Sequence, residues 1–142
     1  MRFMMLVIPK GYEAAEPGAM PDPEAVEKMM AYNEALQKAG VLLALDGLHP
    51  PSVGCRVSFS GGKPHVTDGP FAEVKEVVGG YWLIDVGSRE EAVEWAKRAP
   101  MGDNEIIEVR QVQEFEEFPD DVREAASGFK EMQDEAAARR NG

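Results

Sequence analysis

The residues best suited to chemistry lie in the segment 67–76, where a tight turn is surrounded by acids and a lysine. Apolar residues in and next to this segment are expected to anchor the loop on the body of the protein, namely Phe71, Val74 and Val77. Asp68 stands directly before Gly69 and Pro70, a pair that cannot continue a helix or the middle of a sheet. A carboxylate at such a turn can act as a general base or as a hydrogen-bond anchor. An aspartate before glycine also commonly bonds its own backbone in an Asx-turn, so a catalytic and a structural role are both open for Asp68.

Two histidines are the natural proton-transfer partners for Asp68, because imidazole titrates near neutral pH. His65, the candidate catalytic partner, lies three residues before Asp68, and His49, a candidate substrate-binding residue, ends the turn after a predicted strand. Either could face the same cleft, and the alternative is that both are merely exposed. A metal site of His49, His65 and Asp68 would have suitable nitrogen and oxygen ligands, but their spacing matches no recognised motif. The sequence therefore predicts no metal site.

Other charged residues are candidates for binding a small polar ligand, namely Glu73 and Lys75 beside the turn and Arg110 farther along the chain. The planar guanidinium of Arg110 suits a carboxylate or phosphate, or an acid on a neighbouring strand. Glu73 and Lys75 could instead form surface ion pairs worth about 0–1 kcal/mol. Cys55 is expected to be a buried, inert thiol, because it lies on the apolar side of a predicted strand. The sequence contains no serine, cysteine or phosphate-loop motif, and we predict no cofactor.

Length, charge, apolar content and cysteine count indicate which class of protein this is. A chain of 142 residues is long enough for one domain with its own hydrophobic core. With 15 basic and 26 acidic residues it carries a net charge of −11, which disfavours direct binding to nucleic acid or to an anionic membrane. No apolar run approaches the roughly 18–20 residues that a membrane span needs. The single cysteine allows no internal disulfide, which suits a reducing cytoplasm.

Hydrophobic periodicity and turn residues indicate the elements that must position these groups. They predict strands at 3–8, 41–45, 52–59, 63–67, 81–86 and 105–112. The first of these is apolar throughout, as expected of a central strand. A helix should begin at Pro23, after an Asp22 cap, and end at Gly40. Asn33 interrupts its apolar face, which consists of Val26, Met29, Met30 and Leu36.

The second half of the chain predicts two more helices. Ser88 and Glu91 have the spacing of a capping box that begins a helix, and Pro100 ends it. An amphipathic helix starting at Asp120 should follow the last strand. Gly128 in its middle weakens it by about 1 kcal/mol relative to alanine, so we expect it to need a docking surface.

The order of these elements is typical of an α+β, ferredoxin-like fold, in which split βαβ units form an antiparallel sheet with both helices on one face. Residues 1–113 would form this domain, and 114–142 would be a C-terminal helical extension of the same domain. The other face of the sheet would carry apolar side chains and need cover. A second copy of the chain would supply it, so we predict a homodimer.

A set of motifs closely resembles the signature of the DGPF-domain proteins, which belong to the wider YCII-related family. The central one runs from Asp68 to Glu73 and continues with Lys75-Glu76 and Gly79-Gly80-Tyr81. The similarity also includes Thr67, Gly47-Leu48-x-Pro50, Ala92-x-x-Trp95-Ala96, Pro100 and Ile107-Glu108-Val109-Arg110. It therefore covers residues 1–113, and motifs spread this widely are specific where a lone Asp-Gly-Pro would be weak.

The resemblance implies a dimeric α/β barrel built of ferredoxin-like halves. It also implies that the chain could be an enzyme, since some YCII-related proteins carry a histidine and an aspartate in a cleft. The histidine lies on the first helix of those relatives, and the matching place in this sequence is near Met30. DGPF-domain members often occur near sigma-factor genes, which implies a link to transcription.

Three hypotheses about function follow. The first is a small-molecule enzyme using acid–base chemistry where the Asp68 loop meets the sheet. The second is a non-catalytic ligand- or protein-binding module linked to transcription. The third is that the motif serves only folding and dimerisation.

Overall fold

A computed structural model describes residues 1–141 of the chain, which divides into two compact units, Met1–Gln111 and Val112–Gly142. The strands of the first unit are β1 (Arg2–Ile8), β2 (Leu42–Gly47), β3 (Cys55–Ser60), β4 (Lys63–Asp68), β5 (Gly80–Asp85) and β6 (Ile106–Gln111). Its helices are α1 (Pro23–Lys38) and α2 (Arg89–Lys97), and short 3-10 turns lie at Tyr12–Ala14 and Pro51–Val53.

The main sheet is antiparallel and has the strand order β2-β5-β1-β6. β1 lies between β5 and β6, which confirms the central position predicted from its uninterrupted apolar sequence. Two βα units arranged in this order form the ferredoxin-like, mixed α+β fold that the sequence predicts.

Both helices of the first unit pack on one face of the main sheet, because their buried residues join one core. Its buried members are Phe3, Met5, Tyr32, Leu36, Trp82, Ile84, Val86 and Ala92. The predicted apolar face of α1 is confirmed in part, since Leu36 is buried and Met29 packs against the core. Val26 and Met30 are exposed instead, and Tyr32 is 6% exposed. Tyr32 tolerates burial because its hydroxyl donates a hydrogen bond to the carbonyl of Trp95, at 2.6 Å.

The β3–β4 hairpin stands apart from the main sheet as a two-stranded ribbon, and all of its residues are exposed. The predicted strand at 52–59 with one buried face is therefore wrong in two respects. Its first residues belong to the 3-10 turn Pro51–Val53, and neither face of β3 packs on a core. Cys55 is exposed rather than buried. Alternation of apolar and polar residues indicates a strand whose side chains point to two faces, but it does not show whether another layer covers either face.

The start of α2 confirms half of the predicted capping box. The Ser88 hydroxyl accepts a hydrogen bond from the Glu91 backbone N–H at 3.1 Å. The Glu91 carboxylate accepts from the N–H of Gly87 at 2.6 Å, one residue before the expected Ser88. Both bonds satisfy backbone donors near the helix start.

The C-terminal unit contains a 3-10 turn at Phe115–Glu117 and the helices α3 (Asp120–Ala125) and α4 (Phe129–Asn141). The prediction of one continuous helix is wrong, because Gly128 has a φ of +90°, a left-handed conformation that ends the helical path. Docking of this unit on the domain stays a prediction. Among residues 1–141, no helix combines the length and apolarity that crossing a membrane requires.

Candidate functional site

The DGPF loop, residues 68–79, connects β4 to β5, and its first residues contact the turn Pro51–Val53. The N–H of Gly69 donates a hydrogen bond to the carbonyl of Gly54 at 2.8 Å. A Cβ placed on Gly69 would lie 1.8 Å from the carbonyl oxygen of Pro51. A residue with a side chain therefore cannot occupy this place without moving the backbone.

The far end of the DGPF loop is tied to the main sheet. The N–H of Gly79 donates to the carbonyl of Val7 at 2.8 Å, and the Gly79 carbonyl accepts from the N–H of Leu48 at 2.9 Å. Between the two ends, Phe71, Val74 and Val77 are half-buried, which confirms the apolar anchors expected from the sequence. The loop is therefore held at both ends and along its apolar side.

Asp68 is the last residue of β4, and its side chain is exposed. Within residues 1–141 its carboxylate makes no hydrogen bond or ion pair. The Asx-turn interpretation is wrong, because the backbone group two residues on belongs to Pro70, which has no N–H to donate. Cys55 lies directly opposite Asp68 on β3, so the two side chains share one face of the hairpin.

His65 does not lie beside Asp68. The two residues are separated by three positions on β4, so they point to opposite faces of the ribbon, roughly 10 Å apart along the strand. The Ser58 hydroxyl donates a hydrogen bond of 3.4 Å to the backbone carbonyl of His65 rather than to its imidazole. The geometry of one chain therefore does not assemble a His65–Asp68 pair.

His49 lies in another place, after β2. It is exposed and lines a groove of about 550 Å³ together with Tyr12, Met20 and Leu48. Neither His65 nor Asp68 lines that groove. Nowhere before residue 142 do three or more histidine, cysteine, aspartate or glutamate side chains come together in a group that could hold a metal ion.

The remaining candidates are dispersed over the surface. Glu73 and Lys75 are exposed on the DGPF loop. Arg110 lies on the edge strand β6, and its Nε is 3.9 Å from Oε2 of Glu108 on the same strand, instead of pairing with an acid on a neighbouring strand. Both side chains are largely exposed, so the ion pair contributes little, about 0–1 kcal/mol.

A cavity of about 640 Å³, here called the loop cavity, lies beside the DGPF loop. One wall consists of Pro70, Phe71, Ala72 and Val74 of that loop. The rest comes from segment 13–17 and from Ser52. The wall formed by the DGPF loop is apolar. The guanidinium of Arg56 lies 4.2 Å from the centre of the Phe71 ring in this wall, a cation–π contact that helps to hold the ring in place.

Two residues that line the loop cavity, Glu13 and Ser52, each carry a polar atom without a hydrogen-bond partner among residues 1–141. Oε2 of Glu13 and Oγ of Ser52 are shielded from solvent, and neither has a hydrogen-bond partner in the part of the chain that the structure describes. A buried polar group left unpaired costs about 1–3 kcal/mol, and such groups in native proteins are normally hydrogen-bonded to the protein or to a water molecule.

A second, smaller cleft of about 220 Å³ opens between α1 and the β2–β5 edge of the sheet, and we call it the edge cleft. Its wall includes Asn33 and Trp82. The indole N–H of Trp82 donates to Oδ1 of Asn33 at 2.7 Å, so the asparagine that interrupts the apolar face of α1 pairs a buried donor. Met30, near the place where the resemblance implies a histidine, is exposed and brings no titratable group.

Two tyrosines near the edge cleft act as hydrogen-bond donors. The hydroxyl of Tyr81 donates to Oδ2 of Asp46 at 2.8 Å, and both residues contribute to the cleft wall. Burial raises the pKa of Tyr32 to about 12, although the positive charge of Arg98 opposes the rise. Tyr32 therefore stays neutral at physiological pH and serves the packing of the core rather than proton transfer.

Comparison with known proteins identifies the family. The model of the YCII-related domain matches residues 1–116 of this chain. The chain belongs to the YCII-related domain family. An uncharacterised protein of Rhizobium meliloti (strain 1021) is 34% identical to this YCII-related chain over 76 residues. That similarity covers 54% of this chain and 61% of the length of the relative. Membership of the DGPF subgroup stays a prediction.

The sequence did not single out the polar groups that this YCII-related domain places in its cavities. Asn33 carried a signal, since it breaks an otherwise apolar helix face. Ser52 follows two prolines, which mark a turn but not a cavity wall. Glu13 lies in a long segment rich in glycine and proline, where nothing distinguishes it from its exposed neighbour Glu16.

Proposed function

We propose that this YCII-related domain binds a small polar molecule in the loop cavity and acts on it by acid–base chemistry, with Asp68 as the catalytic carboxylate. The observation that carries the proposal is the cavity itself, whose wall includes Pro70, Phe71 and Ala72 of the DGPF loop. Its volume of about 640 Å³ lies within the range of roughly 300–1,000 Å³ that is usual for small-molecule sites.

The exposed position of Asp68 supports its role in this proposal. Its carboxylate makes no hydrogen bond or ion pair within residues 1–141, so it is free to contact a ligand. Asp68 does not itself line the loop cavity, but Pro70, which does, follows it by only two positions. Glu73 and Lys75 project from the same loop and are proposed to contact the polar part of the ligand. The proposal does not use His65, since β4 directs it to the other face.

The test begins with a panel of small metabolites screened for ligands that raise the melting temperature of the purified chain. Turnover of the resulting ligands is then compared between the wild type and Asp68→Asn, with Asp103→Asn as a control at another exposed aspartate. We expect Asp68→Asn to lower kcat by about 10²–10⁴-fold, because it removes the base but not the ligand site. Wild-type turnover by Asp68→Asn would refute the catalytic role.

One observation favours the alternative of a non-catalytic protein-binding module. The β3–β4 hairpin exposes Val57, Phe59 and Val66 on one face, with exposed fractions of 51%, 79% and 68%. Exposed apolar surface of this kind often marks a contact with another protein. The alternative predicts that Phe59→Ser with Val66→Ser abolishes co-purification of a specific partner that Asp68→Asn retains. Retention of that partner by the double variant would contradict it.

We also propose that two copies pair through the face of the main sheet away from α1 and α2. Met4, Leu6 and Leu83 lie on that face and are half-buried in the single chain. Light scattering at micromolar concentration should then give the mass of two chains. Leu83→Lys should give one, whereas Phe59→Lys on the hairpin should leave the mass unchanged. A monomeric wild type would contradict the proposal.

For the compartment, we propose the reducing cytoplasm. Cys55 is exposed, and the chain has no second cysteine with which it could form an internal disulfide. Finding the protein in a periplasmic or secreted fraction of its source cells would contradict this proposal.

A further inference from the structure

We propose that the edge cleft and the groove beside His49 form one channel, and that this channel binds an uncharged molecule with an alkyl or acyl chain. The chain of the ligand lies in the edge cleft, and its polar end lies near His49. The inference concerns a part of the domain that the proposed function does not use, since Asp68 lines neither of the two cavities.

The first argument is that the two cavities meet. The edge cleft of about 220 Å³ and the groove of about 550 Å³ are both lined by Val7, Gly47 and Gly79. Apart from its neighbours in the chain, a Cβ placed on Gly47 would have no atom closer than 4.0 Å, so space is open at the junction. Together the two volumes fall within the range of roughly 300–1,000 Å³ that is usual for small-molecule sites.

The second argument is the direction of the side chains on β2. Leu45 pairs with Trp82, whose side chain is buried in the core under the helices, so Leu45 and Gly47 point to the same face of the sheet. Asp46 points to the opposite face, where its carboxylate accepts the hydrogen bond from Tyr81. The channel therefore lies on the helix-covered face, and the one carboxylate among its described lining residues is directed away from it.

The third argument is the polarity of the wall. Apolar side chains line the channel from one end to the other, namely Val7, Met20, Met29, Leu45, Leu48 and Trp82. Met20, Leu48 and Leu45 are exposed to 74%, 46% and 37%, and apolar residues exposed side by side often mark a binding groove. None of the described lining residues is lysine or arginine, so the channel offers no counter-ion to a charged ligand.

The polar groups at the two ends give the ligand its direction. At the inner end, Oδ1 of Asn33 accepts from the indole N–H of Trp82 at 2.7 Å, and Nδ2 of Asn33 donates to the sulfur of Met30 at 3.6 Å. The Asn33 amide thus has a partner on each side, and the inner end suits an apolar chain. At the outer end, the exposed imidazole of His49 can donate or accept a hydrogen bond, which suits a hydroxyl or carbonyl oxygen.

The test is a titration of the full-length chain with a series of alcohols from 1-butanol to 1-octanol, followed by the ¹H–¹⁵N spectrum. We expect a saturable shift of the indole N–H signal of Trp82, which lines the channel. The signal of Trp95 is the internal control, because Trp95 lines neither cavity. The dissociation constant should fall about fourfold for each added CH₂ group that the channel buries. Octanoate and octylamine should bind at least about tenfold more weakly than 1-octanol.

Gly47→Val places a side chain at the junction and should remove the gain in affinity with chain length, together with the shift at Trp82. Gly47→Ala is the milder variant and should weaken 1-octanol binding by about threefold or more. His49→Ala should weaken it by about threefold, whereas the matched control His65→Ala, on the hairpin, should bind like the wild type. A native-like spectrum of each variant shows that its fold is retained.

An affinity that does not increase with chain length, or shifts at Trp95 equal to those at Trp82, would overturn the inference. So would binding of 1-octanol that Gly47→Val and Gly47→Ala leave unchanged, or binding of octanoate as tight as that of 1-octanol. Asp68→Asn separates the inference from the proposed function, because it should bind 1-octanol like the wild type. If Asp68→Asn keeps full turnover of a substrate, the catalytic proposal fails while the channel stands.

Discussion

The backbone of Gly69 lies against the carbonyl group of Pro51 so closely that a Cβ on Gly69 would be 1.8 Å from the carbonyl oxygen. This contact joins the DGPF loop to the 3-10 turn that carries Ser52. Two walls of the loop cavity, distant in sequence, are therefore held together by this contact and by the hydrogen bond from the N–H of Gly69 to the carbonyl of Gly54.

Gly69→Ala should destabilise the chain by about 1–3 kcal/mol, because the added methyl group forces the loop away from Pro51. Urea denaturation followed by circular dichroism measures the change. Gly54→Ala is the matched control, since its Cβ would lie 3.6 Å from the same oxygen and its φ of −105° suits alanine. It should be neutral or stabilising by about 0.4–1 kcal/mol. Equal stability of the two variants would show that the close contact is not formed.

Asn33→Ala should cost about 1–3 kcal/mol of folding free energy, because it leaves the buried indole N–H of Trp82 without its acceptor. Asn33→Asp keeps an oxygen at that place and should cost less. Urea titrations read by tryptophan fluorescence measure both. Equal losses in the two variants would mean that packing of the side chain, and not the hydrogen bond, is what matters.

Ser52→Ala should leave the unliganded chain as stable as the wild type or make it more stable, by up to about 1–3 kcal/mol, because it removes an unpaired buried hydroxyl. Ser58→Ala on the exposed hairpin should change stability by less than about 0.5 kcal/mol. Thermal melts without ligand measure both. A marked loss of stability in Ser52→Ala would show that a partner satisfies this hydroxyl in the free protein.

Stability should fall at high pH because of Tyr32. Its pKa is about 12 in the folded chain and about 10 when unfolded, so its contribution is complete below pH 10 and is lost between pH 10 and 12. The loss is up to about 3 kcal/mol. Tyr32→Phe lacks this ionisation and should show a smaller fall over that range, although it loses the hydrogen bond to Trp95.

Urea denaturation at pH 9, 10 and 11 checks the effect of Tyr32. Tyr12→Phe is the control, since it removes another tyrosine hydroxyl, one that donates to the carbonyl of Leu48, but leaves Tyr32 in place. It should keep the steep fall of the wild type. A fall in Tyr32→Phe as steep as in the wild type would assign the pH dependence to other groups.

Much of the fold follows from local patterns. The apolar run of β1, the Asp22-Pro23 helix start and the Ser88 cap each depend on a few neighbouring residues, so the sequence reveals them directly. The exposure of the hairpin could not be predicted, because the sequence of β3 alternates between apolar and polar residues in the same way whether or not a layer covers one face. From the sequence, Gly128 is expected only to weaken the C-terminal helix. That it ends the helix could not be predicted, because its positive φ depends on the surrounding chain.

The candidate site was less predictable than the fold. Asp68 and the anchors Phe71 and Val74 were found from the turn motif, because glycine and proline restrict the backbone locally. The separation of Asp68 from His65 follows from the strand period, which applies only once β4 is known to extend through both. The sequence could not show that Glu13 and Ser52 line the same cavity, since they are about forty positions apart and come close only through folding.

The family, the order of strands and helices, and the turn at Asp68 are all predictable without coordinates, because periodicity, caps and motifs are encoded within short stretches. The side chains that share a cavity become known only when the chain is folded. The close approach of Gly69 to Pro51 is a contact between distant segments, and the exposure of Cys55 and the unpaired oxygens of Glu13 and Ser52 depend on which distant segments do or do not reach them. Such contacts depend on the packing of the whole domain, and no local pattern of residues specifies them.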